Sequence, residues 1–206
     1  MSWWIPVAAG VVVLAGLVFI VASALRKEKD VSADYARRLG LVSQGSTMRG
    51  LVHGFEVSIE NQKRGSSAAQ GRTVFRIGFP HRLGLGISIT ERVGGKGSLR
   101  ALNTGDEAFD GAVTVQAQEA EKALALLTPE RRQAILQLMR SDPRTYINDE
   151  AINWQRDGEI GDFGELKKVF DVLVDSAIAI FPGRAAIKAV RNAEKSAEAR
   201  AAHKKG

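Results

Sequence analysis

Three acidic side chains lie close together in the segment Leu102–Gly111, LNTGDEAFDG: Asp106, Glu107 and Asp110. Closely spaced carboxylates can hold a metal ion or act as a general acid and base, so the segment is a candidate for metal-assisted hydrolysis. Such a site needs converging partners, and the other candidate carboxylates fall in predicted turns, where aspartate is common for its backbone hydrogen bonds. These are Asp142, Asp149, Asp157 and Asp162.

A structural interpretation of the same segment needs no partner. Thr104-Gly105-Asp106 has the composition of a turn, Phe109 is an apolar anchor for the core, and Asp110-Gly111 leads into a predicted strand over Ala112–Ala117. We therefore expect a turn that sets the register of the next strand, and no catalytic, cofactor-binding or metal-binding residue in it.

The remaining residue types favour few other chemistries. The chain has no cysteine, which excludes thiol catalysis and cysteine-ligated zinc. Its three histidines are His53 in a predicted strand, His81 in a turn and His203 near the end. None has a second histidine or a carboxylate at the spacing of helical metal ligands, so we expect structural or exposed histidines.

Two glycine-rich stretches could be mistaken for phosphate-binding loops. Val93–Ser98 (VGGKGS) lacks the spacing and the strand-to-helix context of such a loop, so we predict a mobile connection. The run that begins at Gly84 (GLGIS) has isoleucine at position 89, where a dinucleotide fingerprint needs its third glycine.

Alternating apolar residues predict several strands in the middle of the chain. Leu51–Glu60 is predicted as one strand with Phe55, Val57 and Ile59 on its buried face. A loop over Asn61–Arg72 joins it to a second strand, in which Phe75, Ile77 and Phe79 share a face. The predicted strands that follow are Gly86–Arg92, Ala112–Ala117, and a hairpin of Thr145–Ile147 and Ala151–Gln155, with Ile152 and Trp154 on one face.

Helical periodicity predicts two short helices over Glu119–Leu127 and Pro129–Met139 and a long helix over Phe163–Phe181. Thr128 is the expected N-cap of the second helix, with Pro129 at its first position. Because the early strands are joined by connections too short for crossovers, we predict an α+β fold with a mainly antiparallel sheet. A sheet closed by a C-terminal helix also suggests a pleckstrin-homology-like barrel.

The first 25 residues carry no charged side chain. Trp3–Leu25 would span about 34 Å as a helix, enough for a bilayer core of about 30 Å, so residues 1–25 are predicted to be a transmembrane anchor. Arg26, Lys27 and Lys29 follow it, and the positive-inside rule then places the rest of the chain in the cytoplasm. Ala22-Ser23-Ala24 leaves a cleaved signal peptide as the alternative.

After the anchor we expect a juxtamembrane linker over residues 26–39, an α+β domain over 40–181 and a basic tail over 182–206. Within the linker, the sequence from Asp30 to Gly40 is compatible with an extended linker or with a short helix that ends at Gly40. The formal net charge is +6, and the tail contributes seven basic and two acidic residues to it. Such a tail can contact anionic lipid or nucleic acid through charge alone, or can be a solvated tail that keeps the protein soluble. Its basic residues are Arg184, Lys188, Arg191, Lys195, Arg200, Lys204 and Lys205.

The run Thr104–Leu138 (TGDEAFDGAVTVQAQEAEKALALLTPERRQAILQL) resembles a pattern in a family of bacterial membrane-anchored proteins of unknown activity. The shared features are T-G-D-x-x-F-D, a short strand, and A-x-x-L-L-T-P-E before an apolar helix. This chain departs from the pattern at Gly111-Ala112 and at Gln116-Ala117-Gln118. The resemblance implies architecture and membrane location and supplies no catalytic residue or cofactor.

Two functions of different classes follow from the sequence. We expect a single-pass membrane protein whose cytoplasmic domain binds a protein or a lipid without catalysis, and we expect such a partner rather than nucleic acid. The alternative is a metal-assisted hydrolase that uses the carboxylates of Thr104–Asp110.

Overall fold

A computed structural model describes residues 31–62, 71–92, 101–141, 144–181 and 183. None of the helices in these ranges is both long enough and apolar enough to span a bilayer. The predicted anchor, the glycine-rich stretch Val93–Ser98 and the basic residues of the tail lie outside the described residues.

The described residues form an α+β fold, as predicted, with one antiparallel sheet of eight strands and five helices. The strands are β1 (Val42–Gln44), β2 (Thr47–Val52), β3 (Phe55–Gln62), β4 (Arg72–Gly78), β5 (Ser88–Glu91), β6 (Val113–Gln116), β7 (Tyr146–Asn148) and β8 (Ala151–Asp157). The helices are α1 (residues 31–38), α2 (Glu107–Ala112), α3 (Ala120–Leu126), α4 (Pro129–Ser141) and α5 (Phe163–Ile180).

The prediction of one strand over Leu51–Glu60 is wrong, because a two-residue turn divides it into β2 and β3. His53 and Gly54 form this turn with φ of +52° and +84°, the left-handed pair that suits a tight hairpin, and Val52 pairs with Phe55. His53 is therefore a turn residue and not a strand residue. Leu51 pairs with Glu56 on the solvent-facing side of the hairpin and is 75% exposed.

The predicted buried faces of the strands are confirmed. Phe55, Val57 and Ile59 of β3 are fully buried, and Phe75 and Ile77 of β4 pack beside them on the same side of the sheet. Trp154 of β8 meets the Phe75 ring edge-on, with 5.3 Å between the ring centroids. The alternation of apolar and polar residues was enough to predict these buried faces, because these strands turn one face to the core and the other to solvent.

The order of strands in the sheet is not their order in the chain. It runs β1-β2-β3-β4-β8-β7-β5-β6, so the β7–β8 hairpin lies between β4 and β5. Gly78 at the end of β4 pairs with Ala151, and Ser88 at the start of β5 pairs with Asn148. The chain between β4 and β5 must therefore cross the turn of the β7–β8 hairpin.

Helices α4 and α5 pack against each other and complete the core. Ile135, Leu138 and Met139 of α4 are buried, and their spacing is the helical periodicity that predicted a helix over Pro129–Met139. The buried side of α5 runs from Leu166 to Ile180, and Phe181, which follows it, packs against Phe55 and Phe79.

Two glycine substitutions should have opposite effects on stability. Gly54→Ala places a side chain at φ +84° and should lower the free energy of unfolding by about 1 kcal/mol. Gly111→Ala lies in α2, where an added Cβ meets no atom within 4 Å, and should raise it by about 0.5–1 kcal/mol. Urea unfolding of both variants checks this, and equal shifts of the same sign would contradict the assigned turn.

Candidate functional site

The segment after Thr104 contains a short helix and does not lead directly from a turn into a strand. Asp106 is the N-cap of α2: its backbone is extended, and its carboxylate accepts a hydrogen bond from the Phe109 N–H at 3.1 Å. The prediction of a turn that continues through Asp110-Gly111 was thus wrong. A helix of six residues is too short for a periodic signal, and Asp106 as N-cap was the only local sign of it.

The second aspartate of the segment closes the loop before the helix. Asp110 accepts hydrogen bonds from the backbone N–H of Thr104 at 3.0 Å and from its hydroxyl at 2.9 Å. Gly105, at φ +76°, donates its N–H to the Asn103 side chain at 2.7 Å. The pattern T-G-D-x-x-F-D therefore describes a self-contained loop and helix start.

An ion pair links this loop to α4. The Nε of Arg132 lies 3.1 Å from Asp106 Oδ2, and a terminal nitrogen of the same guanidinium donates to the Leu127 carbonyl at 2.8 Å. Thr128 occupies the N-cap position, as predicted, because its carbonyl accepts from the Arg132 N–H at 2.9 Å, and Pro129 begins α4. Arg132, which follows the L-L-T-P-E part of the motif, thus brings that part together with T-G-D.

Hydrogen bonding lowers the pKa of the Asp106 carboxyl below its ordinary value. The Phe109 N–H makes the largest contribution, and partial desolvation opposes it. The hydrogen bond and charge of Arg132 lower the pKa further. Asp106 therefore stays ionised as part of a structural junction.

Phe109 is fully buried, as predicted, whereas Glu107 points to solvent. Within the described ranges, no group of three or more histidine, aspartate or glutamate side chains is placed to hold a metal ion. The oxygens of Asp106 and Asp110 accept bonds from the chain's own donors, so their geometry is that of a structural motif.

A second candidate is the connection between β4 and β5, Phe79–Ile87, which we call the apical loop. Phe79, Leu85 and Ile87 are its buried anchors. Between them, Pro80, His81 and Arg82 are exposed. Irregular segments held on a rigid scaffold are common places for binding residues.

The Asp149 carboxylate holds the apical loop in place. Its Oδ1 accepts from the N–H groups of Leu85 (3.2 Å) and Ile87 (3.1 Å), and its Oδ2 accepts from that of Gly86 at 2.8 Å. The positive φ of Gly84 and Gly86 helps to turn these amides toward one point. The sequence placed Asp149 correctly in a turn, but did not indicate which donors it would bind.

Backbone and side-chain contacts extend this attachment. The Phe79 N–H donates to the Glu150 carbonyl at 2.7 Å, and the Leu83 N–H donates to the Asp149 carbonyl at 2.9 Å. Arg82 forms an ion pair with the Glu150 carboxylate. His81 was predicted to lie in a turn; it rests edge-on against Phe181, with 4.7 Å between ring centroids.

Comparisons of the chain with sequence profiles of protein families, with curated proteins and with solved structures gave no match. The resemblance of Thr104–Leu138 to a membrane-anchored family therefore stays a prediction.

Loss of the Phe109 ring should destabilise the fold far more than loss of an acid beside it. Phe109→Ala should lower the free energy of unfolding by about 3 kcal/mol or more, since it empties a fully buried site. Glu107→Ala on the same helix is the matched control and should cost less than about 0.5 kcal/mol. Chemical unfolding tests both; a large loss for Glu107→Ala with a small one for Phe109→Ala would refute the structural role.

The lowered pKa of Asp106 should make part of the stability depend on pH. A carboxyl whose pKa is lower in the folded state stabilises the fold above its unfolded pKa and loses that contribution as the pH falls through the folded pKa. The stability difference between the wild type and Asp106→Asn should thus be present at neutral pH and shrink as the pH falls below the ordinary aspartate pKa of about 4. Urea unfolding at several pH values measures this difference. A difference that stays constant from neutral to acidic pH would contradict the stabilising role of the Asp106 charge.

Proposed function

We propose that this chain is a membrane-anchored binding protein with a non-enzymatic α+β domain at the cytoplasmic face of the membrane. The observation that carries the non-enzymatic part is the use of Asp106 and Asp110 as acceptors for Phe109, Thr104 and Arg132. Carboxylates committed to such bonds do not offer the open ligand positions that a metal-assisted hydrolase needs.

The membrane part of the proposal rests on the sequence. Its support is the uncharged run Trp3–Leu25 and the basic residues Arg26, Lys27 and Lys29 that follow it. The resemblance to bacterial membrane-anchored proteins points the same way. The binding partner we expect is a protein or an anionic lipid.

A pleckstrin-homology-like barrel is the finer form of the fold proposal. Helix α5, which packs against the inner face of an antiparallel sheet, supports it. Among the described residues no pairing joins β1 to β6, and the strand order departs from a simple meander. We therefore propose only that α5 closes one side of an open sheet.

A reporter fusion tests the orientation. A reporter that is active only in the periplasm, fused after Gly206, should stay inactive because the positive-inside rule keeps the domain in the cytoplasm. Removal of residues 1–25 should then release the protein from the membrane fraction. An active reporter on the full chain, or unchanged membrane association of the truncated chain, would contradict the proposal.

A further inference from the structure

One corner of the solvent-facing side of the sheet carries exposed apolar side chains. Val42 of β1 and Leu51 of β2 are 64% and 75% exposed, more than any other large apolar residue in the described ranges. Val42 pairs with Arg49, and Leu51 lies two residues further along β2, so all three point away from the core. Leu51 pairs in turn with Glu56 of β3, which is also exposed. We call Val42, Arg49, Leu51 and Glu56 the corner patch.

The far end of the same face has the ordinary composition of a solvated sheet surface. The outward positions of β5 and β6 are all polar: Ser88, Thr90, Thr114 and Gln116. An antiparallel sheet with one face in water is expected to carry such residues. The corner patch differs, because its two apolar side chains are adjacent and are flanked by charges, which is a feature of protein contact sites.

The two charges of the corner patch are unpaired within the described part of the chain. Neither the Arg49 guanidinium nor the Glu56 carboxylate makes a hydrogen bond or an ion pair there. Arg76 of β4, on the same face, is instead 3.6 Å from the Glu150 carboxylate. A positive and a negative side chain are therefore both available to a partner that carries both signs.

The register of β2 and β3 fixes the shape of the patch. Adjacent strands lie about 4.8 Å apart, and alternate residues of one strand lie about 7 Å apart. Leu51 therefore occupies the right-angled corner of a triangle, with Arg49 along β2 and Glu56 across on β3. The Cα atoms of Arg49 and Glu56 are then about 8 Å apart. A two-fold axis in the plane of the face, midway between Arg49 and Glu56, exchanges these two positions and passes close to Leu51.

We propose that the corner patch binds the corner patch of a second copy of this chain, face to face around this two-fold axis. Each Arg49 then meets Glu56 of the second copy, and the two Leu51 side chains meet at the axis. A two-fold contact uses the same surface on both copies, and the patch meets this condition because it is its own complement in charge. Such a dimer needs neither the anchor nor a foreign partner, so it goes beyond the proposed function.

The mixed charge of the patch favours a second copy over other occupants. An anionic lipid surface or a nucleic acid would attract Arg49 but would be repelled by Glu56, and also by Glu60 on the same side of β3. Any partner of a single sign would leave one charge desolvated without compensation.

The size of the patch sets the strength of the contact. Four side chains cover less than the roughly 800 Å² per partner of a standard interface, so we expect a weak dimer that forms as the protein concentration rises. Because its ion pairs lie at the surface, the dimer should also weaken as salt is added.

Sedimentation of the full chain in a neutral detergent at low salt tests the pairing. The wild type should form dimers with increasing concentration. Arg49→Glu and Glu56→Arg should each weaken the dimer by about tenfold or more, since the symmetry brings like charges together twice. An equimolar mixture of these two variants should dimerise like the wild type, because every facing pair is again opposite in charge.

Lys168→Glu is the matched control for Arg49→Glu, because it changes the net charge equally at an exposed position of α5, on the other side of the sheet. It should leave dimerisation unchanged. Equal weakening by Lys168→Glu would show that only net charge matters and would overturn the proposal. Failure of the mixture to recover, or a wild type that stays monomeric at every concentration, would overturn it as well.

A cross-link tests the position of the axis. The chain has no cysteine, so Leu51→Cys introduces a single thiol. A short bis-maleimide should link two copies through it, because the two-fold axis brings the same residue of each copy together. Thr90→Cys, exposed at the far end of the same face, should stay unlinked. Equal linking at both positions, or a Leu51→Cys chain that links only to a different polypeptide in cell extract, would overturn the second copy as the occupant.

Discussion

The Asp149 carboxylate is the contact on which the topology of the sheet depends. Because the β7–β8 hairpin lies between β4 and β5, the apical loop must cross its turn without strand partners, which would leave backbone N–H groups unpaired. Asp149 accepts from three of them, and the carbonyls of Asp149 and Glu150 accept from two more. The hairpin turn thus replaces the missing strand partners of the segment that crosses it.

The ion pair between Asp106 and Arg132 connects helices α2 and α4. Arg132 joins the N-terminus of α2 to the N-terminus of α4, and the buried Phe109 side chain packs α2 against the core. A segment rich in acids, which first suggests catalysis, is in this way the link between two helices. Asp106 and Asp149 act in the same way: each carboxylate accepts hydrogen bonds from backbone N–H groups.

The sequence predicted the parts of the fold that depend on periodicity. The inward residues of β3 and β4, the N-cap position of Thr128 and the long helix α5 follow from alternation, capping and a wide apolar stripe. The sequence did not predict the turn at His53-Gly54 or the helix α2, because both are too short to show a periodic pattern of apolar residues. Strand order and the donors bound by Asp149 depend on contacts distant in the chain, which no local pattern encodes.

Native-state hydrogen exchange of the amides of Leu85, Gly86 and Ile87 tests the central claim most directly. In Asp149→Ala the three amides lose their acceptor, so their opening free energy should fall by about 1–3 kcal/mol. Asp149→Asn keeps Oδ1, the acceptor for Leu85 and Ile87, and should affect mainly Gly86. Unchanged exchange of all three amides in Asp149→Ala would contradict the account.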